Sequence, residues 1–233
     1  AYTLKGEYHR AIADLSHALQ MRPAATDYHN RGSAWRNSGE MDRAIADYTE
    51  AIRLNPADAM IFIDRARAWH EQGHLDQAVS DYTTALRLDP SSSIAYGGRG
   101  AAWSDQGNFD SAIDDFTQAL ELDPDQPDLH IGRGHAWTVK EDLGLAIHDF
   151  HHALRLAPHS MIARRAAGVA RFAKGDFAEA ADLFDCHDFD DEAFAMLFRF
   201  LARARAGEDA TAELAADATQ LKTRDWPYPL IEL

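Results

Sequence analysis

Residues 58–90 read DAMIFIDRARAWHEQGHLDQAVSDYTTALRLDP, and this stretch decides the fold. Residues 61–72 place their apolar side chains on one stripe and run into Gly73, a natural helix stop. His74, Leu75 and Asp76 read as the turn, with Asp76 placed to cap the next helix. Residues 77–88 carry Ala78, Val79, Tyr82, Ala85 and Leu86 at the i, i+3/i+4, i+7 spacing of an amphipathic helix. Pro90 then prevents continuation, because it lacks an N–H and clashes with the preceding turn. The block predicts two helices joined by a short turn.

Working outward, the same block recurs. Trp35, Trp69, Trp103 and Trp137 are each 34 residues apart, as are Pro56, Pro90, Pro124 and Pro158. Gly39, Gly73 and Gly107 keep that period, and Gly6 and Gly175 fall in phase at either end. Ala44, Ala78, Ala112 and Ala146 share it, and so do Ala51, Ala85, Ala119 and Ala153. Tyr48, Tyr82, Phe116 and Phe150 lie between the two alanine series. A fixed period of this length indicates a solenoid of stacked repeats. Strand alternation is missing throughout, so an all-α fold is expected.

The order bulky residue, Gly, aromatic, Gly, Ala, aromatic, Ala, Pro resembles the tetratricopeptide repeat. Tyr28, Gly32, Trp35, Gly39, Ala44, Tyr48, Ala51 and Pro56 make one full copy. Phe62, Ala66, Trp69, Gly73, Ala78, Tyr82, Ala85 and Pro90 make the second; Tyr96, Gly100, Trp103, Gly107, Ala112, Phe116, Ala119 and Pro124 make the third. The fourth runs from His130 through Gly134, Trp137, Ala146, Phe150 and Ala153 to Pro158, with Glu141 in place of the turn glycine. The fifth keeps Gly168, Gly175, Ala180 and Phe184, with Arg171 in place of Trp. The resemblance implies a right-handed solenoid of antiparallel helix pairs over residues 1–187. Residues 188–233 are expected to form atypical capping helices, near 192–206 and 210–221, with an apolar tail at 226–233. Residues 1–5 read as the last part of a first helix A, turning at Gly6, so further chain is expected upstream.

Composition narrows the function classes. Apolar residues make up 46% and charged residues 26%, as in globular proteins generally. Lys and Arg number 23 against 38 Asp and Glu, a net charge of -15. So acidic a chain repels phosphate backbones, and nucleic acid is not an expected partner. No stretch reaches the length of a membrane span, so membrane insertion is not expected. The single cysteine, Cys186, forms no internal disulfide or Cys-based zinc site and suits cytoplasm or periplasm equally. The compartment is left open.

Several recurring residues carry structural rather than chemical meaning. Arg31, Arg65, Arg99 and Arg133 each lie 16 residues before Asp47, Asp81, Asp115 and Asp149 respectively. Repeat five loses both partners together, having Ala167 and Leu183. Joint presence and joint loss predict an Arg–carboxylate fork within each repeat rather than a ladder of anion sites. The tryptophans read as packing between helix pairs. Histidines concentrate in repeat four, where His148 and His152 are i, i+4 on a face expected to be solvated. Two histidines do not complete a zinc shell, so no metal is expected. Gly-rich phosphate loops, G-x-S-x-G and HExxH are missing, and neither catalysis nor a cofactor is expected.

The resemblance further implies that the A helices line a groove that binds peptides. Projection onto that face gives His29, Asn30, Ser33 and Arg36 in the first full copy, and Met60, Ile63, Asp64, Arg67 and His70 in the second. Ile94, Gly97, Gly98 and Ala101 come from the third, Ile131, Gly132, His135 and Thr138 from the fourth, and Ile162, Arg165, Val169 and Phe172 from the fifth. Ile63, Ile94 and Ile131 are expected to be apolar side chains facing water, over a floor left open by Gly97, Gly98 and Gly132. Arg36, Arg67 and Arg165 add positive points. An apolar trough with a few cations suits a peptide with aliphatic anchors and some acidic character. A clamp for chaperone C-termini is disfavoured, because His29, Ser33, Asp64, Ile94 and Gly98 stand where it would need Lys and Asn. The expectation is a non-catalytic scaffold for a peptide segment of a partner protein. The alternative is a homo-oligomer built through the tail or the ends.

Overall fold

The computed structural model describes residues 2–184 and 192–208. The described residues form α-helices in two compact units. The first unit, Ala1–Pro124, contains α1 (Tyr2–Met21), α2 (Ala25–Ser38), α3 (Met41–Leu54), α4 (Ala59–Glu71), α5 (Leu75–Leu88), α6 (Ser93–Asp105) and α7 (Phe109–Leu122). The second, Asp125–Leu233, contains α8 (Pro127–Val139), α9 (Leu143–Leu156), α10 (Met161–Lys174), α11 (Phe177–Phe184) and α12 (Glu192–Arg205). Within each unit successive helices pack against one another, as expected of an all-α solenoid of helix pairs. Cys186, the 210–221 helix and the 226–233 tail lie outside the described residues.

The helix ends obey local chemistry. Asp58 accepts from the Met60 N–H at 3.0 Å, Ser92 from Ala95 at 3.2 Å and Ser160 from Ala163 at 3.3 Å, so each satisfies an orphan donor of a first turn. Asp76 does not cap α5. It lies inside the first turn, where its charge suits the helix dipole, and accepts from Gln106 Nε2 at 2.8 Å. The A-to-B turns need a left-handed residue, and Gly39, Gly73, Gly107 and Gly175 supply it with φ between 78° and 93°. Glu141 holds the same conformation in repeat four at φ 63°. Gly6 makes no turn; α1 runs straight through it. Glycine permits the left-handed bend without enforcing it, and staying helical costs only about 1 kcal/mol.

The core lies between the paired helices. Tyr48, Tyr82 and Phe150 are fully buried, each flanked by alanines with no exposure. Helices A and B approach closely because a glycine faces the aromatic ring: a methyl on Gly32 would meet Tyr48 at 2.8 Å, and one on Gly134 would meet Phe150 at 2.6 Å. Trp35, Trp69, Trp103 and Trp137 are half-buried, and Trp69 packs on the clusters of two successive repeats. In the second unit Phe198 of α12 closes on Phe184 and Phe172, with ring centroids 5.4 and 5.6 Å apart.

The Arg–Asp forks form as the joint recurrence predicts. Arg31, Arg65 and Arg99 each hold the carboxylate of Asp47, Asp81 or Asp115 through two bonds of 2.7 Å, and Arg133 holds Asp149 through two of 2.8 Å. The bond to Asp47 raises the pKa of Arg31 against the opposing effect of burial. The three forks of the first unit also tie repeats together. The remaining nitrogen of Arg31 donates to Ser16, that of Arg65 to Thr49 and that of Arg99 to Thr83, at 3.0 to 3.1 Å. The aromatic slot covers the cation: Tyr28, Phe62 and Tyr96 lie 5.6 to 5.8 Å beneath Arg31, Arg65 and Arg99. Where repeat five lacks its Arg, Arg171 reaches back from one turn further along and donates to His151 Nε2 at 3.0 Å. His151 occupies the slot that Thr49 and Thr83 fill elsewhere.

Candidate peptide-binding face

In the first unit the A helices α2, α4 and α6 carry most of the projected residues, and polar pairs close much of that face. His29 Nε2 meets Asp64 Oδ2 at 2.7 Å from the next A helix, and Arg67 approaches the other oxygen of Asp64 at 3.4 Å. Arg36 lies 3.9 Å from Glu71, and His70 lies 2.7 Å from Asp105, each pair spanning 35 residues. Ser33 donates to the His29 carbonyl and accepts from the Tyr48 hydroxyl at 3.2 Å. Asn30 and Met60 are exposed. Arg36 and Arg67 thus serve as cross-links between and within repeats, not only as positive points.

Three expectations about the apolar trough need correction. Ile63 is only 1% exposed and Ile131 only 9%. Ile63 belongs to the core of α4, α5 and α6, and Ile131 packs with Ala153 and Ala163. The B helix of the same repeat and the next A helix together cover each of them. Ile94 alone of the three faces outward, at 47%. Gly98 leaves no open floor, because the Tyr82 ring fills the space where its side chain would stand.

The second unit presents a concave site. A cavity of about 350 Å³ is lined by His135 and Thr138 of α8, Phe150 of α9, and Ile162, Arg165 and Val169 of α10. It brings His135, Thr138, Ile162, Arg165 and Val169 of the projected set together and leaves Ile131 in the core. Ile162 is 65% exposed. The His135 ring stands edge-on to Phe150, with centroids 5.2 Å apart. Partial burial, and then the charge of Arg165, lower the pKa of His135 below its ordinary 6.5, so its neutral form dominates at pH 7. Arg165 provides a charged fork at the rim, and Ile162 and Val169 provide apolar wall. Phe150 was legible only as a core aromatic; one edge of the same ring also floors the cavity.

The histidines of repeat four do not converge on a point. His148 is exposed, but His152 is half-buried, with its ring stacked on that of His130 at 4.1 Å. The buried His130 turns its Nδ1 toward Asp149 at 3.2 Å. Stacking, not solvation, therefore governs His152. Burial, and then the nearby His130, lower its pKa. Among the described residues no group of three His, Cys, Asp or Glu side chains is placed to hold a metal ion. Among them, too, no helix is long and apolar enough to cross a membrane.

The tetratricopeptide repeat family matches residues 25–58, 63–127 and 139–193. No curated protein sequence matches the chain. Solved structures with a similar fold include MamA, residue 41 to the end, from Desulfovibrio magneticus RS-1, with 21% identity and a TM-score of 0.65 over 69% of this chain and 90% of that one. YrrB, described as a TPR protein with an unusual peptide-binding site, gives 18% identity and 0.62 over 89% and 98%. Pseudomonas aeruginosa pilF gives 16% and 0.73 over 85% and 90%. At these identities the likeness concerns the fold.

Proposed function

The chain belongs to the tetratricopeptide repeat family, and on that premise we propose that it is a non-catalytic scaffold whose A-helix face holds a peptide segment of a partner protein. Its fold generally mediates protein–protein and peptide interactions. The observation that carries the finer reading is the cavity of α8, α9 and α10, where an exposed isoleucine and an arginine flank a buried aromatic ring. Aliphatic anchors of the partner would gain by covering Ile162 and Val169, since apolar area leaves water on contact. The peptide-binding site attributed to YrrB, which shares the fold, supports the same reading. In it, the segment 188–233 closes the stack, with Phe198 already seated on α10 and α11.

Affinity capture from source-cell lysate tests this, with wild type beside Ile162→Arg and Ile94→Arg and circular dichroism confirming that all three fold. A protein held by wild type and lost by a folded variant supports the groove. Identical captures on all three baits overturn it. Capture of the chain by itself alone would favour the homo-oligomer, in which the 226–233 tail docks on a second copy.

A further inference from the structure

Tyr48 and Tyr82 are the members of the helix-B aromatic series that carry a hydroxyl. In the first full repeat the Tyr48 hydroxyl donates to Ser33 at 3.2 Å. In the second, Arg67 stands at the position of Ser33, one 34-residue period on. A guanidinium has no acceptor, and Arg67 turns to Asp64 at 3.4 Å instead. The Tyr82 hydroxyl is therefore left without a hydrogen bond to any described residue, on a side chain only 1% exposed. A donor so placed costs stability until something outside the fold meets it.

The direction of approach follows from Gly98. The Tyr82 hydroxyl oxygen lies 2.6 Å from where a side chain on Gly98 would begin. Residue 98 occupies the slot of Asp64, whose side chain reaches along the A-helix face to His29 at 2.7 Å. The phenol thus presents its O–H where an A helix would present a side chain of its own. Burial pushes its pKa up to about 12, so it stays a neutral donor at physiological pH. Ile94, one turn before Gly98 on α6, is 47% exposed, and Met60, in the same slot of α4, is 43% exposed. Apolar surface and unmet donor are thus about 5.4 Å apart along the helix, and α4 and α6 pack on each other within the first unit. The nearby cations already face acids, Arg67 with Asp64 and Arg36 with Glu71, and the chain carries -15. A neutral acceptor suits the hydroxyl better than a carboxylate. Resting on the A-helix reading above, we propose that the α4–α6 face takes an extended peptide segment whose main-chain carbonyl accepts from the Tyr82 hydroxyl and whose adjacent aliphatic side chain covers Met60 and Ile94. The carbonyl contact fixes where the peptide lies, and the aliphatic residue supplies the selection.

The test uses dodecapeptides anchored by their C-termini, with a central Leu, Ser or Glu and the other positions randomised. The full chain is applied as wild type, Tyr82→Phe, Tyr48→Phe, Ile94→Asp and Ile162→Arg, each checked for native helicity and Tm. Wild type should prefer Leu peptides over both Ser and Glu peptides. Tyr82→Phe removes an oxygen that the free fold does not use, so its Tm should not fall, while retention of Leu peptides drops about three- to tenfold, the worth of one hydrogen bond. Tyr48→Phe breaks the bond to Ser33, so its Tm should fall with retention kept. Ile94→Asp should lose the Leu preference. The tightest Leu peptide is then remade with each main-chain amide in turn replaced by an ester, whose carbonyl is a poorer acceptor. One ester should weaken binding to wild type and leave binding to Tyr82→Phe unchanged. Undiminished retention by Tyr82→Phe overturns the proposal, as does a lowered Tm in that variant or an ester series that acts equally on both proteins. Leu peptides lost by Ile162→Arg and kept by Ile94→Asp would overturn it too, while leaving a groove in the second unit. Retention of no peptide by wild type would count against the groove reading and this proposal together.

Discussion

The Tyr82 ring lies so close to Gly98 that a methyl there would come within 2.4 Å of Cζ and 2.6 Å of the hydroxyl oxygen. In repeats one, three, four and five, the corresponding aromatic packs on a glycine of its own repeat: Gly32, Gly100, Gly134 or Gly168. Repeat two has Ala66 in that slot, and the ring is accommodated by the next A helix instead. Burial there pushes the Tyr82 hydroxyl up to about 12.

Gly98→Ala is therefore expected to destabilise the chain by about 1–3 kcal/mol through overpacking. Adding Ala66→Gly should recover part of that loss, because it reopens the slot within the repeat. Urea denaturation of the two single variants and the double variant measures the coupling. Strict additivity would show that the two sites do not share the ring.

Asp115→Ala removes one arm of a fork whose acid is almost fully buried and whose arginine is about one-fifth exposed. The expected cost is about 2–4 kcal/mol, between the limits for exposed and buried pairs. Arg99→Lys should also destabilise, since an ammonium cannot span both oxygens of Asp115 and the hydroxyl of Thr83. Thermal unfolding of each variant checks this, and a Tm indistinguishable from wild type for Asp115→Ala would contradict it.

Glu141 takes a left-handed conformation that costs an L-residue about 1–2 kcal/mol. Glu141→Gly should raise Tm by roughly 2–4 °C for a chain of this length. An unchanged or lowered Tm would mean that the Glu141 side chain offsets the backbone strain.

His151 accepts a hydrogen bond from Arg171, which requires a neutral ring, and burial, then the Arg171 charge, lower its pKa. A folded pKa below the unfolded one favours the neutral form. The contribution to stability is therefore complete above about pH 6.5 and is lost as pH falls through the lowered folded value. Wild type should lose Tm between pH 7 and pH 5 more steeply than His151→Gln, whose amide can still accept from Arg171. Parallel pH profiles would show that this ring does not titrate on unfolding.

The repeat boundaries and the Arg–Asp forks were legible because every member recurs at a fixed distance within one repeat. The fate of Ile63, Ile131 and Gly98 was not. Their surroundings depend on the side chain that the adjacent repeat places opposite, and a period of 34 residues fixes the slot without fixing that neighbour. The link from Arg171 to His151 was hidden for the same reason: it restores a lost contact from a different slot. Legibility of the cavity was partial, since His135, Ile162 and Arg165 share the projected face, whereas the Phe150 edge belongs to helix B.

In the first unit each fork arginine takes its acid from its own repeat and its hydroxyl from the one before. A repeat of this kind is an interchangeable part: it brings its own acid and offers the next arginine a ready hydroxyl. Whole 34-residue blocks can therefore be duplicated or excised in tandem with the arginine–hydroxyl contact at the new joint restored, whereas the pairs His29–Asp64 and His70–Asp105 belong to particular neighbours. A cut inside a block separates an arginine from its aspartate. Such wiring lets an array of this kind change length in discrete steps, by recombination at repeat borders.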